Sequence, residues 1–310
     1  MSLRSIAPYD ILYEKGTRRT LVRNRKRGKR KDGTMQIGMP TLIENRTLED
    51  NAALCAGLGL GFVELNMNFP EYQVGRLERV EELRRIAEET GIYYTIHLDE
   101  NLNVADFNPL VSEAYRETVR RTVAVAKALL PLKDRFGDPV QPLTLNMHMH
   151  HGVHITLPDR KVQLYDRDFD AYMASFAVFR ALCEEWIGDS PLRLVVENTD
   201  GFRAYERRAI EYLLQSPVFG LTWDVGHSKA TGERDVPFLL EHEDRIIHFH
   251  IHDATETPPR NHLALGDGDI DLPARLSLAR RLGARCVLET KTVEALKRSV
   301  GWLASHLKQL

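Results

Sequence analysis

From residue 35 onward the chain alternates two kinds of apolar patterning. Short runs alternate apolar and polar side chains with period two, as a strand with two different faces requires. These runs predict strands over 36–42, 61–68, 93–99, 142–150, 193–199, 219–227, 246–253 and 286–291. Between them lie longer stretches with apolar residues at 3.6-residue spacing, the mark of a helix with one buried stripe. They predict helices over 48–58, 76–90, 109–130, 168–187, 205–215, 236–243, 272–282 and 293–307. Gly59, Gly91 and Gly283 follow three of these runs, where a left-handed residue commonly ends a helix. Strand-then-helix units repeated eight times over about 275 residues predict an α/β fold of the (β/α)8 TIM barrel type. An open doubly wound sheet also alternates, but it does not usually need eight units. No glycine-rich phosphate loop follows the first strand either.

The faces of those strands sharpen the expectation. One face is apolar: Val63 and Leu65, Ile96 and Leu98, Leu145 and Met147, Trp223 and Val225, Ile247 and Phe249. The other face turns polar toward each C-terminal end, where barrel enzymes place their chemistry. It carries Glu64, His97, Asn146, His148, His150, Glu197, Asp224 and Glu289. The run 246–253 is the extreme case, with His248, His250 and His252 on one face and Ile247, Phe249 and Ile251 on the other. Unpaired buried imidazoles cost roughly 1–3 kcal/mol each, so three in a row imply partners in the barrel mouth.

Charge and composition narrow the surroundings. The net charge of −2 gives no general pull toward nucleic acid or anionic membrane. No run approaches the ~20 apolar residues of a membrane span, and the N-terminus has no secretory apolar segment. Cys55, Cys183 and Cys286 lie in apolar stretches without paired spacing and read as reduced core residues of a cytoplasmic protein. Residues 1–34 read as an extension to a barrel domain over 35–310. Nine Lys or Arg and no acid fall between Arg18 and Lys31. That run reads as a solvated or packing arm, with phosphate-rich partners as the alternative.

The inward carboxylates Glu197, Asp224 and Glu289 repel one another unless they are protonated or bridged by a cation. With His250 they form an oxygen-rich set suited to one divalent ion: Mn, Mg, Co or Zn. The remaining histidines at the mouth, His97, His148, His227 and His262, read as substrate contacts, with further metals as the alternative. Glu197 and Glu289 come from the fifth and eighth strands and would flank a substrate from two directions. That suits paired-glutamate proton transfer through a metal-bound enediolate. The loop 258–271 can fold over the mouth and bring Arg260 and His262 to a sugar hydroxyl or phosphate.

In order, VVENTDG at 195–201, WDVGH at 223–227, HFHIHD at 248–253, NHLALGDGDID at 261–271 and VLET at 287–290 resemble the xylose isomerase-like TIM barrel superfamily. That group holds sugar and sugar-phosphate isomerases and epimerases, polyol dehydratases, and DNA repair enzymes of the endonuclease IV type. The resemblance to ketose epimerases implies Glu197, Asp224, His250 and Glu289 as metal ligands. It makes Glu197 and Glu289 the acid/base pair, and places His227 and Arg260 on a small carbohydrate substrate. The resemblance to endonuclease IV, a zinc phosphodiesterase acting at abasic DNA, adds His97, His148 and His227 as ligands. Its Asp-x-His pair is here Arg260 and His262, so one ligand of its three-zinc site is missing. Such relatives often pair, which implies a possible homo-oligomer.

Overall fold

Eight parallel strands close on themselves in a computed structural model that describes residues 35–306. The expectations for residues 1–34 lie outside the described residues. The barrel strands are β1 (Ile37–Pro40), β2 (Phe62–Asn66), β3 (Tyr93–His97), β4 (Leu143–His148), β5 (Leu192–Glu197), β6 (Phe219–Asp224), β7 (Ile246–Ile251) and β8 (Arg285–Leu288). Each lies beside its sequence neighbours, and β1 pairs with β8 through Ile37 and Cys286 to close the ring. The outer helices are α1 (Leu48–Gly57), α2 (Val80–Thr90), α3 (Pro109–Phe136), α4 (Phe169–Ile187), α5 (Ala204–Leu214), α6 (Val236–Glu241), α7 (Leu272–Leu282) and α8 (Val293–His306). The architecture is the expected (β/α)8 barrel.

Local chemistry explains the element ends. Thr47 caps α1 by accepting from the Asp50 N–H at 3.1 Å, and Asn108 caps α3 by accepting from Leu110 N–H. Gly91 and Gly283 take left-handed conformations, with φ of 73° and 62°, that a side chain would disfavour. Strand side chains pointing at the helices, such as Leu65, Ile96, Leu145, Trp223 and Phe249, are fully buried and fill the layer between sheet and helices.

The structure corrects three expected boundaries. The sixth strand stops at Asp224 rather than 227, and Val225–Ala230 forms a short helix. Asp224 turns the chain by accepting the His227 N–H, so His227 sits on a helix. α3 runs through Pro131 to Phe136, beyond the expected stop at 130. Proline removes one ladder bond, but Leu129, Leu132 and the Lys133 stem are buried just around it and hold the helix on the barrel. The 258–271 segment is a tied structure. Asp253–Thr255 and Arg260–Leu263 pair as an antiparallel hairpin. The buried Asp253 carboxylate accepts N–H groups from Ala254, Gly266 and Ile270. Among the described residues no helix is long and apolar enough to cross a membrane.

Candidate metal centre

Parallel register sets the inward polar groups at matching heights. His148 pairs with Glu197, and Asp224 pairs with His250. Each of these four is the last or next-to-last residue of its strand, so they gather at the C-terminal mouth. Glu289 follows the last residue of β8, and its N–H is held by the Ile251 carbonyl at 3.0 Å. One ligand atom from each of Glu197, Asp224, His250 and Glu289 lies within 4.8 Å of the others, and all four residues are buried.

The contacts inside this cluster are uneven. His250 Nδ1 lies 3.2 Å from Glu197 Oε2, 3.1 Å from Glu289 Oε2 and 3.9 Å from Asp224 Oδ2. Glu197 also accepts from the Asn146 amide and approaches His148 Nε2 at 3.2 Å and His97 Nε2 at 3.4 Å. Glu289 Oε1 accepts from Lys291 Nζ at 2.7 Å. Even so, His250 Nδ1, Glu197 Oε1 and Glu289 Oε2 are buried with no aligned hydrogen-bond partner. Three unpartnered polar atoms at one spot cost on the order of 1–3 kcal/mol each. A divalent cation accepts all three at once, and the donor set of three carboxylates and one imidazole fits a hard or borderline ion.

Electrostatics point the same way. Burial opposes ionisation of Glu197, yet His250 and His148 hold its carboxyl well below the usual carboxylate range. Burial likewise opposes ionisation of Glu289, and His250 and Lys291 outweigh it. His250 is penalised by burial but pushed well above an ordinary histidine by Glu197 and Glu289. The cluster therefore demands positive charge, and without a metal a proton on His250 supplies it.

Beneath and beside the cluster lie supporting groups. Burial opposes ionisation of Glu64 on β2, but His250 and His248 hold its carboxyl down. Its oxygens take His250 Nε2 at 2.8 Å and His248 Nε2 at 3.0 Å. His252, just past β7, donates Nε2–H to Asp224 at 3.0–3.1 Å, and its Nδ1 accepts the His262 N–H. Gly226 is required there, because a Cβ would lie 1.8 Å from the His252 ring. Asn198 straps β6 by bonding both the N–H and the carbonyl of Asp224.

The cluster opens into a cavity of about 560 Å³, within the range of small-molecule sites. His97, His148, His227 and His262 all line it, together with Glu197 and Glu289. Burial and the neighbouring His252 depress His262 to about 4, so it faces the cavity as a neutral ring. His227 is raised to about 10, because Asp224 and Glu197 outweigh its burial. Arg260 is exposed on the hairpin and does not line the cavity. Glu64, His151, His252 and Lys291 join the site without having been assigned roles from the sequence.

A family model for the xylose isomerase-like TIM barrel matches residues 52–306. The chain belongs to the xylose isomerase-like TIM barrel family. No curated protein sequence matches it significantly. Among solved structures, a D-tagatose 3-epimerase-like protein superposes with TM-score 0.67 at 18% identity, covering 89% of this chain and 98% of that one. The 3-keto-D-glucoside 4-epimerase of E. coli superposes with TM-score 0.65 at 16% identity, covering 88% and 100%. An L-ribulose 3-epimerase gives 0.63 at 17% identity, covering 89% and 95%. At these identities the likeness establishes this family member's fold.

The rim carries a charged clamp. His151 bonds buried Glu206 through Nδ1 and exposed Asp200 through Nε2, both at 2.5 Å. Burial disfavours its charge, but those two bonds raise its pKa to about 9, against an ordinary ~6.5. A raised histidine contributes its full stability below about 6.5 and loses it as pH rises through about 9. We expect wild type to lose on the order of 1 kcal/mol relative to His151→Gln between pH 6.5 and 9.5, given the exposure of Asp200. Urea denaturation across that range checks this, and parallel pH profiles for the two proteins would contradict it.

Proposed function

We propose that this protein is a divalent-metal-dependent epimerase or isomerase of small ketoses or ketose phosphates. The observation that carries the reading is the convergence of Glu197, Asp224, His250 and Glu289, with three unpartnered atoms, at the floor of a small-molecule cavity. A divalent ion held there supplies Lewis acidity toward a sugar oxygen, which acidifies the adjacent C–H bond.

The chain's own residues do the rest. Glu197 and Glu289 are both ionised, and each keeps one oxygen without a hydrogen-bond partner. One accepts the proton from the carbon beside the carbonyl, and the C–H electron pair moves toward the carbonyl oxygen. The other first takes up a proton from solvent and delivers it to the opposite face, giving the epimer, or to the neighbouring carbon, giving the isomer, and the first then releases its proton to solvent. Lys291 holds Glu289 from the solvent side. His97, His148, His227 and His262 offer ring nitrogens to hydroxyl groups.

The lining is mixed in charge. It contains Glu100, Glu197, Asp200 and Glu289, and Lys291 is its single Lys or Arg among the described residues. Binding to DNA needs several phosphate-contacting cations, usually Lys and Arg. The His97, His148 and Glu197 grouping favours a second reading, a multi-zinc phosphodiesterase of the endonuclease IV type. A lining with Lys291 as its single Lys or Arg, and without Arg260, weighs against it.

A panel of ketoses incubated with metal-loaded protein in D2O tests the proposal. We expect an epimer or isomer carrying deuterium at the carbon beside the carbonyl. Cleavage of an abasic duplex with no ketose turnover would replace this reading with the second one.

A further inference from the structure

We propose that Glu64 is a positioning residue that fixes which nitrogen of His250 faces the metal centre. The inference rests on the metal-centre reading above and adds to it a residue outside the ligand set. Glu64 is 1% exposed, and no Lys or Arg is within salt-bridge distance of it among the described residues. Oε1 lies 2.8 Å from His250 Nε2. Oε2 lies 3.0 Å from His248 Nε2 and accepts from the Thr95 hydroxyl at 2.9 Å.

Once an ion takes the lone pairs of Glu197 and Glu289 that face Nδ1, the bond to Glu64 decides the tautomer. A carboxylate only accepts, so a ring nitrogen turned toward it is an N–H. With Nε2 of His250 carrying the proton, Nδ1 of the neutral ring presents its lone pair. That atom is the one 3.1–3.2 Å from Glu289 and Glu197, and it has no hydrogen-bond partner. His248 and Thr95 hold the second carboxylate oxygen, so Glu64 cannot swing away from His250 without leaving both unpaired. A buried carboxylate is a poor choice for stability alone, because apolar replacements of such groups are often neutral or stabilising. Its geometry instead matches the carboxylate–histidine–metal arrangement, in which an outer carboxylate orients the ring and raises its basicity.

The test is Co²⁺ and Mn²⁺ titration of the full chain as wild type, Glu64→Met and Glu64→Gln. We expect Glu64→Met to weaken Co²⁺ binding by about 10–100-fold and to alter the visible Co²⁺ spectrum. Glu64→Gln, which keeps one acceptor for His250, falls between. Glu64→Met should melt lower in the metal-free state, because it leaves His248, His250 and Thr95 unpaired. Glu64→Gln should melt close to wild type while still losing Co²⁺ affinity, which separates positioning from a structural role. Equal affinity and equal spectra across the three would overturn the role of Glu64 while leaving the metal centre standing. A wild type that takes up no ion would instead overturn the centre itself. If neither variant folds, ¹⁵N NMR of the metal-loaded wild type decides. A proton on Nε2 of His250 supports the inference, and one on Nδ1 overturns it.

Discussion

Glu289→Gln should lower kcat for ketose epimerisation by roughly 10²–10⁴-fold, the usual worth of one positioned acid or base. Glu197→Gln should do the same. Both carboxylates face His250 Nδ1 within 3.2 Å, and each keeps one oxygen free of protein donors. Glutamine preserves shape and hydrogen bonding but cannot take a proton from carbon. Epimerisation should fail in both variants, whereas each variant should still exchange deuterium from D2O, without inversion, into the epimer whose C–H faces the glutamate that remains. The fold should survive in Glu289→Gln. It removes one of three crowded anions, and Lys291, half exposed, can turn its ammonium to water. A variant that still epimerises at the wild-type rate would remove Glu289 from the proton-transfer pair.

The second large effect concerns the ion. Stripping the protein with a chelator should abolish activity and lower the melting temperature by roughly 5–10 °C relative to protein held at a hundred times Kd. The stability difference is the binding free energy at that concentration, about 2.7 kcal/mol. In the metal-free state the positive charge is a proton on His250, whose affinity for it is raised by Glu197 and Glu289. Ion binding therefore displaces a proton, and affinity should rise with pH through neutrality. Calorimetry in buffers of different ionisation enthalpy reads that proton directly. Binding heats independent of buffer would show that His250 is already neutral.

The sequence disclosed the barrel and the four-residue cluster because both rest on short-range periodicity. Alternation on β5, β6 and β7 sorts Glu197, Asp224 and His250 to the inner face, and their place at strand ends sorts them to the mouth. What stayed hidden depends on contacts across the ring. Glu64 sits on the inner face of β2, but β2 and β7 are not neighbours, so its bonds to His248 and His250 have no signature in either strand. Asp224 was legible as inward-facing but not as a helix cap, although the polar run that follows it is short enough to turn. That misplaced His227 onto a strand. His262 and Arg260 were read together as cavity groups. Two apart on one hairpin strand, they would share a face, but His262 takes a left-handed φ of 54°, and of the two only His262 lines the cavity. Lys291 is two residues beyond Glu289, close enough in sequence to be noticed at the rim, yet its bond to Glu289 depends on how the chain leaves β8.

The central claim is that one divalent cation sits among Glu197, Asp224, His250 and Glu289. Anomalous diffraction from crystals of the Mn²⁺-loaded protein tests it most directly. The account predicts a peak at the barrel mouth within about 2.0–2.6 Å of a donor atom from each of these four side chains. Loaded crystals with no anomalous peak between them, or with the ion held only by other residues, would contradict it.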